Sequence, residues 1–337
     1  MATDSAPLRR TFDGALAGLR CTLSAGAILL GFGTGFGPVA TAFAQEKFPE
    51  RPITIIVPWG PGGGADQLGR TAGRLMERSL HVSLPVINVP GATGQNGLQK
   101  LLTSPADGYT IGVMTGDTFS LFAAQNSRFQ LDQITPLGIM IKQPSGFFVK
   151  KDSPWKTWDD VAAAAREKTL RVAVTGFGSP DDLTVTYYRN KGLKLESIPF
   201  PEPGLRYASV VGGQSDLLYE QAGDVRSFLD GDQIRPVLFF SAKPFAPYPD
   251  IPYSKSLGDA ITLTQFRVIK VRAGTDPNIV KTLSAALAEV AKDPEYAAYL
   301  KQQLGDPDSF VPAEGAVAFM KQWLDEAKAL TALVGKK

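Results

Sequence analysis

A chain of 337 residues with 35 lysines and arginines against 33 acids carries a formal charge of only +2. That balance excludes the concentrated basic field a nucleic-acid surface needs, and the length is a prior for two domains of ordinary size. One cysteine, Cys21, and one histidine, His81, leave little material for thiol catalysis, for Cys/His zinc sites or for Ser-His-Asp chemistry.

Arg9, Arg10 and Arg20 precede an apolar, small-residue run from Cys21 to Ala40, which ends at Ala42-Phe43-Ala44 before Gln45. This order predicts a secretory signal peptide over residues 1–44. Gly26, Gly31, Gly33, Gly35, Gly37 and Pro38 dilute the run, which argues against a transmembrane anchor. Arg9-Arg10-Thr11-Phe12 leaves a twin-arginine route open beside the Sec route. Arg20 before Cys21 argues against lipidation, and Cys21 leaves with the leader. The exported protein is thus expected in the periplasm, without a disulfide and held by its core alone.

Strand-like and helix-like segments then alternate. Ile53–Val57 reads as a strand and Asp66–Leu80 as a helix with Leu68, Ala72, Leu75 and Met76 on one face, closing near His81, a helix-end histidine. Strands at Pro85–Val89 and Tyr109–Met114 enclose a helix at Asn96–Leu102, and a short helix follows at Phe119–Ala124. Such βαβαβ order predicts a parallel sheet covered by helices. Leu137–Ile141 and Gly146–Val149 flank a crossing at Lys142-Gln143-Pro144-Ser145. A second set follows: helix Trp158–Glu167 capped by Thr157, strand Leu170–Val174, helix Asp181–Tyr188, strand Leu195–Pro199, helix Leu205–Val211, and strands Asp216–Tyr219 and Pro236–Phe240. A Pro-rich loop spans Lys243–Pro252. A last strand, Gln265–Val271, leads to helices at Pro277–Ala291, Pro294–Leu304 and Ala313–Leu333, a tail expected to pack back on the first domain. The predicted domains are 45–141 with 267–337, and 142–266. Two crossings between them make a hinge.

The loop Trp59-Gly60-Pro61-Gly62-Gly63-Gly64-Ala65-Asp66 sets bare amides and a helix N-terminus at the tip of a strand, the makings of an anion site. It lacks the Lys-Ser/Thr pair of a P-loop. It matches a dinucleotide fingerprint formally, but Val86-Ile87-Asn88-Val89-Pro90-Gly91 offers no acid for ribose hydroxyls. A second loop, Thr175-Gly176-Phe177-Gly178-Ser179-Pro180-Asp181-Asp182, repeats the grammar at the carboxyl end of a strand in the other half. Two helix N-termini facing across a cleft could hold one carboxylate each, or a carboxylate and a polar end. Thr115-Gly116-Asp117-Thr118 places hydroxyls at a further strand tip, as ligand contacts or as a helix cap.

Taken in order, Phe48-Pro49-Glu50-Arg51-Pro52-Ile53 through Asp66, Asn88-Val89-Pro90-Gly91-Ala92-Thr93-Gly94, Pro105-Ala106-Asp107-Gly108-Tyr109-Thr110, Gly178-Ser179-Pro180, Gly212-Gly213-Gln214-Ser215-Asp216 and Ala273-Gly274-Thr275-Asp276-Pro277 resemble the Bug-type, TctC-like solute receptors of tripartite tricarboxylate transporters. The resemblance covers nearly all of the mature chain. It implies an α/β, two-domain periplasmic-binding-protein (Venus flytrap) architecture, each domain a mainly parallel sheet flanked by helices. It implies a receptor that closes on a small organic carboxylate and delivers it to membrane transporter components, acting as a monomer without cofactor, metal or catalytic residue. Ligand-binding positions carried over are Trp59, Gly62, Gly63, Gly64, Asp66, Thr115, Asp117, Thr118, Phe177, Gly178, Ser179 and Glu220. Asp66 is expected to cap the first helix rather than touch an anion.

The chain departs from the family at Phe200-Pro201-Glu202-Pro203-Gly204-Leu205-Arg206, where a Lys-Gly step is common. Arg206 could supply the missing charge, but is expected on a helix surface. Trp59 and Phe177 flank the two loops, either as walls for an apolar ligand body or as core. Two other functions stay open: an exported enzyme using Asp117, Asp181, Asp182 and Glu220 as acids and bases, and a scavenging or sensing receptor.

Overall fold

The computed structural model describes residues 47–124 and 127–335, so the signal-peptide reading of residues 1–44 lies outside the described residues. The described residues form one compact unit. The first βαβ units are β1 (Thr54–Val57), α1 (Gly64–Leu80), β2 (Val86–Asn88), α2 (Gln95–Thr103) and β3 (Thr110–Thr115), followed by a single turn, α3 (Gly116–Phe119). Leu68, Ala72, Leu75 and Met76 of α1 are buried, as their spacing on one helix face demands. β4 (Ile134–Gln143) then runs through Pro144 directly into β5 (Ser145–Lys150), which belongs to a second sheet.

The second set comprises α4 (Trp158–Glu167), β6 (Leu170–Val174), α5 (Pro180–Asn190), β7 (Leu195–Pro199), α6 (Pro203–Val211), β8 (Leu217–Gln221), α7 (Arg226–Asp230) and β9 (Ile234–Phe240). The chain returns through β10 (Gln265–Arg272), then α8 (Pro277–Lys292), α9 (Pro294–Gln302), the short β11 (Val311–Pro312) and α10 (Ala313–Gly335). The first sheet has the order β11-β4-β10-β3-β1-β2 and the second β7-β6-β8-β5-β9. Two helix-flanked sheets thus stand where two were expected.

Parallel pairing is confined to the βαβ strands, β2-β1-β3 and β7-β6-β8. The crossing strands pair antiparallel, as β4 leaves for the second half and β5 and β10 each enter from the opposite one, so neither sheet is mainly parallel, against expectation. Alternation of elements along the chain carries no sign of this reversal.

The tail divides its packing. Leu283, Leu287 and Tyr296 of α8 and α9 join the core around Ile55, Leu68 and Ile269. Met320, Trp323 and Leu330 of α10 join a different cluster, which holds Phe119 of α3 and Phe266 of β10, in the first sheet, together with Val185, Tyr188 and Phe240 of the second half. Asn190 of α5 donates to the Val334 carbonyl at 2.8 Å. The last helix is therefore shared by both halves rather than returned to the first alone. No helix among the described residues is long and apolar enough to cross a membrane.

Candidate functional site

Both glycine loops leave a strand and enter a helix through one left-handed residue, a conformation glycine adopts without strain. Gly62 has φ 82° and Gly178 φ 76°. The next residues, Gly63 and Ser179, are extended N-caps with φ/ψ of −77°/167° and −75°/165°. In the first loop the Gly62 N–H donates to Asp66 Oδ2 at 3.0 Å, and in the second the Gly178 N–H donates to Asp182 Oδ2 at 2.8 Å. Asp66 thus ties down its own loop. Burial works to raise its pKa, but hydrogen bonds from Arg70, the Gly62 amide and Asn88 prevail and hold it below the usual carboxylate range. Asn88, standing at the strand tip where a dinucleotide site would carry an acid, also donates to the Trp59 carbonyl at 2.9 Å and serves the loop's shape.

The loops differ in what fills them. In the first, Gly64 and Ala65 supply first-turn amides that have no intrahelical partner, and both residues line a cavity of about 30 Å³ between the halves. In the second, the fully buried Asp181 fills the loop from within. It accepts from the Thr175 hydroxyl at 2.8 Å and from the Thr175 amide, and it touches the Ser179 hydroxyl. Burial, reinforced by the charge of Asp117, pushes its pKa well above the usual range.

From the first half, Trp59, Gly63, Gly64, Ala65, Thr115, Asp117 and Arg267 line the cavity. Trp59 is buried, and its ring N–H donates to Thr115 Oγ1 at 3.2 Å. Thr115 also caps α3 through the Thr118 amide. Asp117 accepts from Gln265 Nε2 at 2.7 Å; burial first and the charge of Glu220 second raise its pKa. From the second half come Thr175, Pro203, Arg206, Tyr207, Glu220, Gln221 and Asp224. Gly60 and Gly63 close directly on Glu202 and Pro203: a Cβ at Gly63 would lie 2.7 Å from Pro203 Cγ.

Arg206 corrects the surface expectation. It is only 4% exposed, pairs with Glu220 at 2.6 Å and donates to the Phe200 carbonyl at 2.9 Å. α6 turns this residue inward because a buried carboxylate on β8 lies beneath it. Arg267 on β10 forms a second buried pair, with Asp224. Burial raises the pKa of Asp224 in spite of that arginine.

Of the positions expected at the ligand, Trp59, Gly63, Gly64, Thr115, Asp117 and Glu220 line the cavity; Gly62, Asp66, Thr118, Phe177, Gly178 and Ser179 do not. Phe177 is 67% exposed, and Ser179 is sealed beneath Asp181. Arg267, Asp224, Gln221 and Tyr207 are lining residues that sequence reasoning missed. Among the four acids of the enzyme reading, Asp181 and Asp182 are held by their own loop and Glu220 is neutralised by Arg206. Among the described residues no group of three or more His, Cys, Asp or Glu side chains is placed to hold a metal ion.

Two α/β halves that meet at a charged cavity have the architecture of periplasmic binding proteins. The periplasmic binding protein BugD superposes with a TM-score of 0.79 at 22% identity, over 86% of this chain and 99% of its own. MatC from Rhodopseudomonas palustris, solved with bound malate, gives 0.77 at 20% identity over 84% and 99%. Rpa4515 of R. palustris, solved with adipate, gives 0.79 at 19% identity over 86% and 99%. The profile of the tripartite tricarboxylate transporter family receptor, TctC, matches residues 69–333, and the chain belongs to that family of solute-binding receptors.

Proposed function

We propose that the protein is an extracytoplasmic receptor that closes on a small organic carboxylate and passes it to the membrane components of a tripartite tricarboxylate-type transporter. The observation that carries this reading is the first turn of α1, where Gly64 and Ala65 line the cavity together with Arg206 and Arg267. Helix N-terminal amides and guanidinium groups are the groups that recognise carboxylates. The malate of MatC and the adipate of Rpa4515 support the ligand class.

The lobes of this receptor are 45–141 with 267–337, and 142–266, hinged at the two crossings. The leader at 1–44 delivers it to the periplasm, and it works as a monomer that binds without turnover. A cavity of about 30 Å³ is too small for an organic carboxylate, so on this reading the halves part to admit one. Titration calorimetry against mono-, di- and aminocarboxylates, with small-angle scattering before and after saturation, tests the reading. Saturable binding with a smaller radius of gyration is expected. No binding across the whole panel would overturn it.

A further inference from the structure

Around the cavity the buried charges do not balance. Arg206 is committed to Glu220 and Arg267 to Asp224, which leaves Asp117, the remaining acid of the cavity wall, buried without an ion-pair partner among the described residues. Asp224 adds a second, independent sign of unmet bonding: it lines the cavity, is only 9% exposed, and its Oδ1 has no hydrogen-bond partner. Gly64 and Ala65, in the first turn of α1, line one wall of the cavity, and Asp117, Glu220 and Asp224 line the rest with the two arginines. A ligand with a carboxylate at each end would set one of them against acids that have no spare cation.

We propose that the ligand is an aminocarboxylate, its carboxylate against the Gly64 and Ala65 amides and its ammonium group against Asp117. This rests on the receptor reading above and narrows the ligand within it. Buried carboxylates without partners are costly, and an ammonium group removes the cost that a second carboxylate would increase. Burial and then the charge of Glu220 raise the pKa of Asp117, and a cation beside it would offset both.

The test is calorimetry on the mature protein with succinate, glutarate and adipate. These are set against aspartate, glutamate, 4-aminobutanoate, 5-aminopentanoate and 6-aminohexanoate, and against the hydroxy acids matching the last three. At least one amino compound should bind tenfold or more tighter than the diacid of its length, about 1.4 kcal/mol. For a terminal amine, the same margin should separate it from its hydroxy acid. Asp117→Asn should erase that preference, with circular dichroism checking its fold; if the variant does not fold, the wild-type hydroxy-acid and diacid comparisons decide. Diacids binding tighter than amino compounds, and tighter still as pH falls, would mean that the acids take up protons instead. That result overturns the aminocarboxylate and leaves the carboxylate receptor standing. Failure of every compound to saturate the protein overturns both.

Discussion

Ala65 and Asp181 hold the same place, the second residue of a helix, in two loops of matching backbone geometry. Each follows a left-handed glycine and an extended N-cap, and each is followed by an aspartate that accepts the glycine amide. The loops differ in what holds that place: Asp181 is met by the hydroxyls of Thr175 and Ser179, where the first loop has Trp59 and Gly63. With a methyl group Ala65 lines the cavity; with its carboxylate the second loop satisfies itself.

Ala65→Asp should place a carboxylate where the second loop carries Asp181. Ala65 is buried and its loop lacks the Thr175 and Ser179 hydroxyls that hold Asp181, so Tm should fall as well, and circular dichroism checks that the variant folds. Carboxylate affinity should fall by 100-fold or more, about 2.7 kcal/mol, as the new side chain takes the ligand's place. Calorimetry with the tightest wild-type ligand measures this. Unchanged affinity would remove the first loop from the site.

The Arg206–Glu220 pair makes a separate prediction on stability. Arg206→Met should cost about 3–5 kcal/mol, because it strands a buried carboxylate, whereas Arg206→Met with Glu220→Met should recover most of the loss. Urea unfolding of both single variants and the double variant gives the coupling between them. Additive losses would mean that the two side chains do not act as a pair.

These residues mark the boundary of what the sequence disclosed. The glycine loop and its helix were legible because strand, turn and helix are consecutive; Asp66, expected as the helix cap, instead accepts the Gly62 amide of the loop, and Gly63 is the N-cap. The Thr115 cap was legible for the same reason. Arg206 was misread because its partner lies on the strand beneath α6, fourteen positions away, and a nine-residue helix gives no local sign of which face meets an acid. Asp224 and Arg267 are 43 positions apart and meet only through the fold. One signal was available and unused: Gln265–Arg272 puts Arg267 and Lys270 inside an otherwise apolar central strand, where each must find a partner or lose its charge.

Lys270 illustrates the second outcome. It is 2% exposed, joins no ion pair among the described residues, and reaches only the Val113 carbonyl, at 3.4 Å. Burial pulls its pKa from 10.5 down to about 7. Between those values the unfolded chain binds more protons than the folded one, so this residue makes stability rise with pH across that window. Below about pH 7 the folded state carries a buried ammonium and the full penalty; toward pH 10 the penalty fades. Lys270→Met keeps the volume and removes the charge, so it should stabilise the protein at pH 6 by about 2 kcal/mol or more. The advantage should shrink steadily as pH climbs to 10, read from urea midpoints of both proteins across the range. A constant advantage at every pH would mean that this lysine stays charged in the folded protein, for which the core around Gly112 and Leu101 provides no counter-ion.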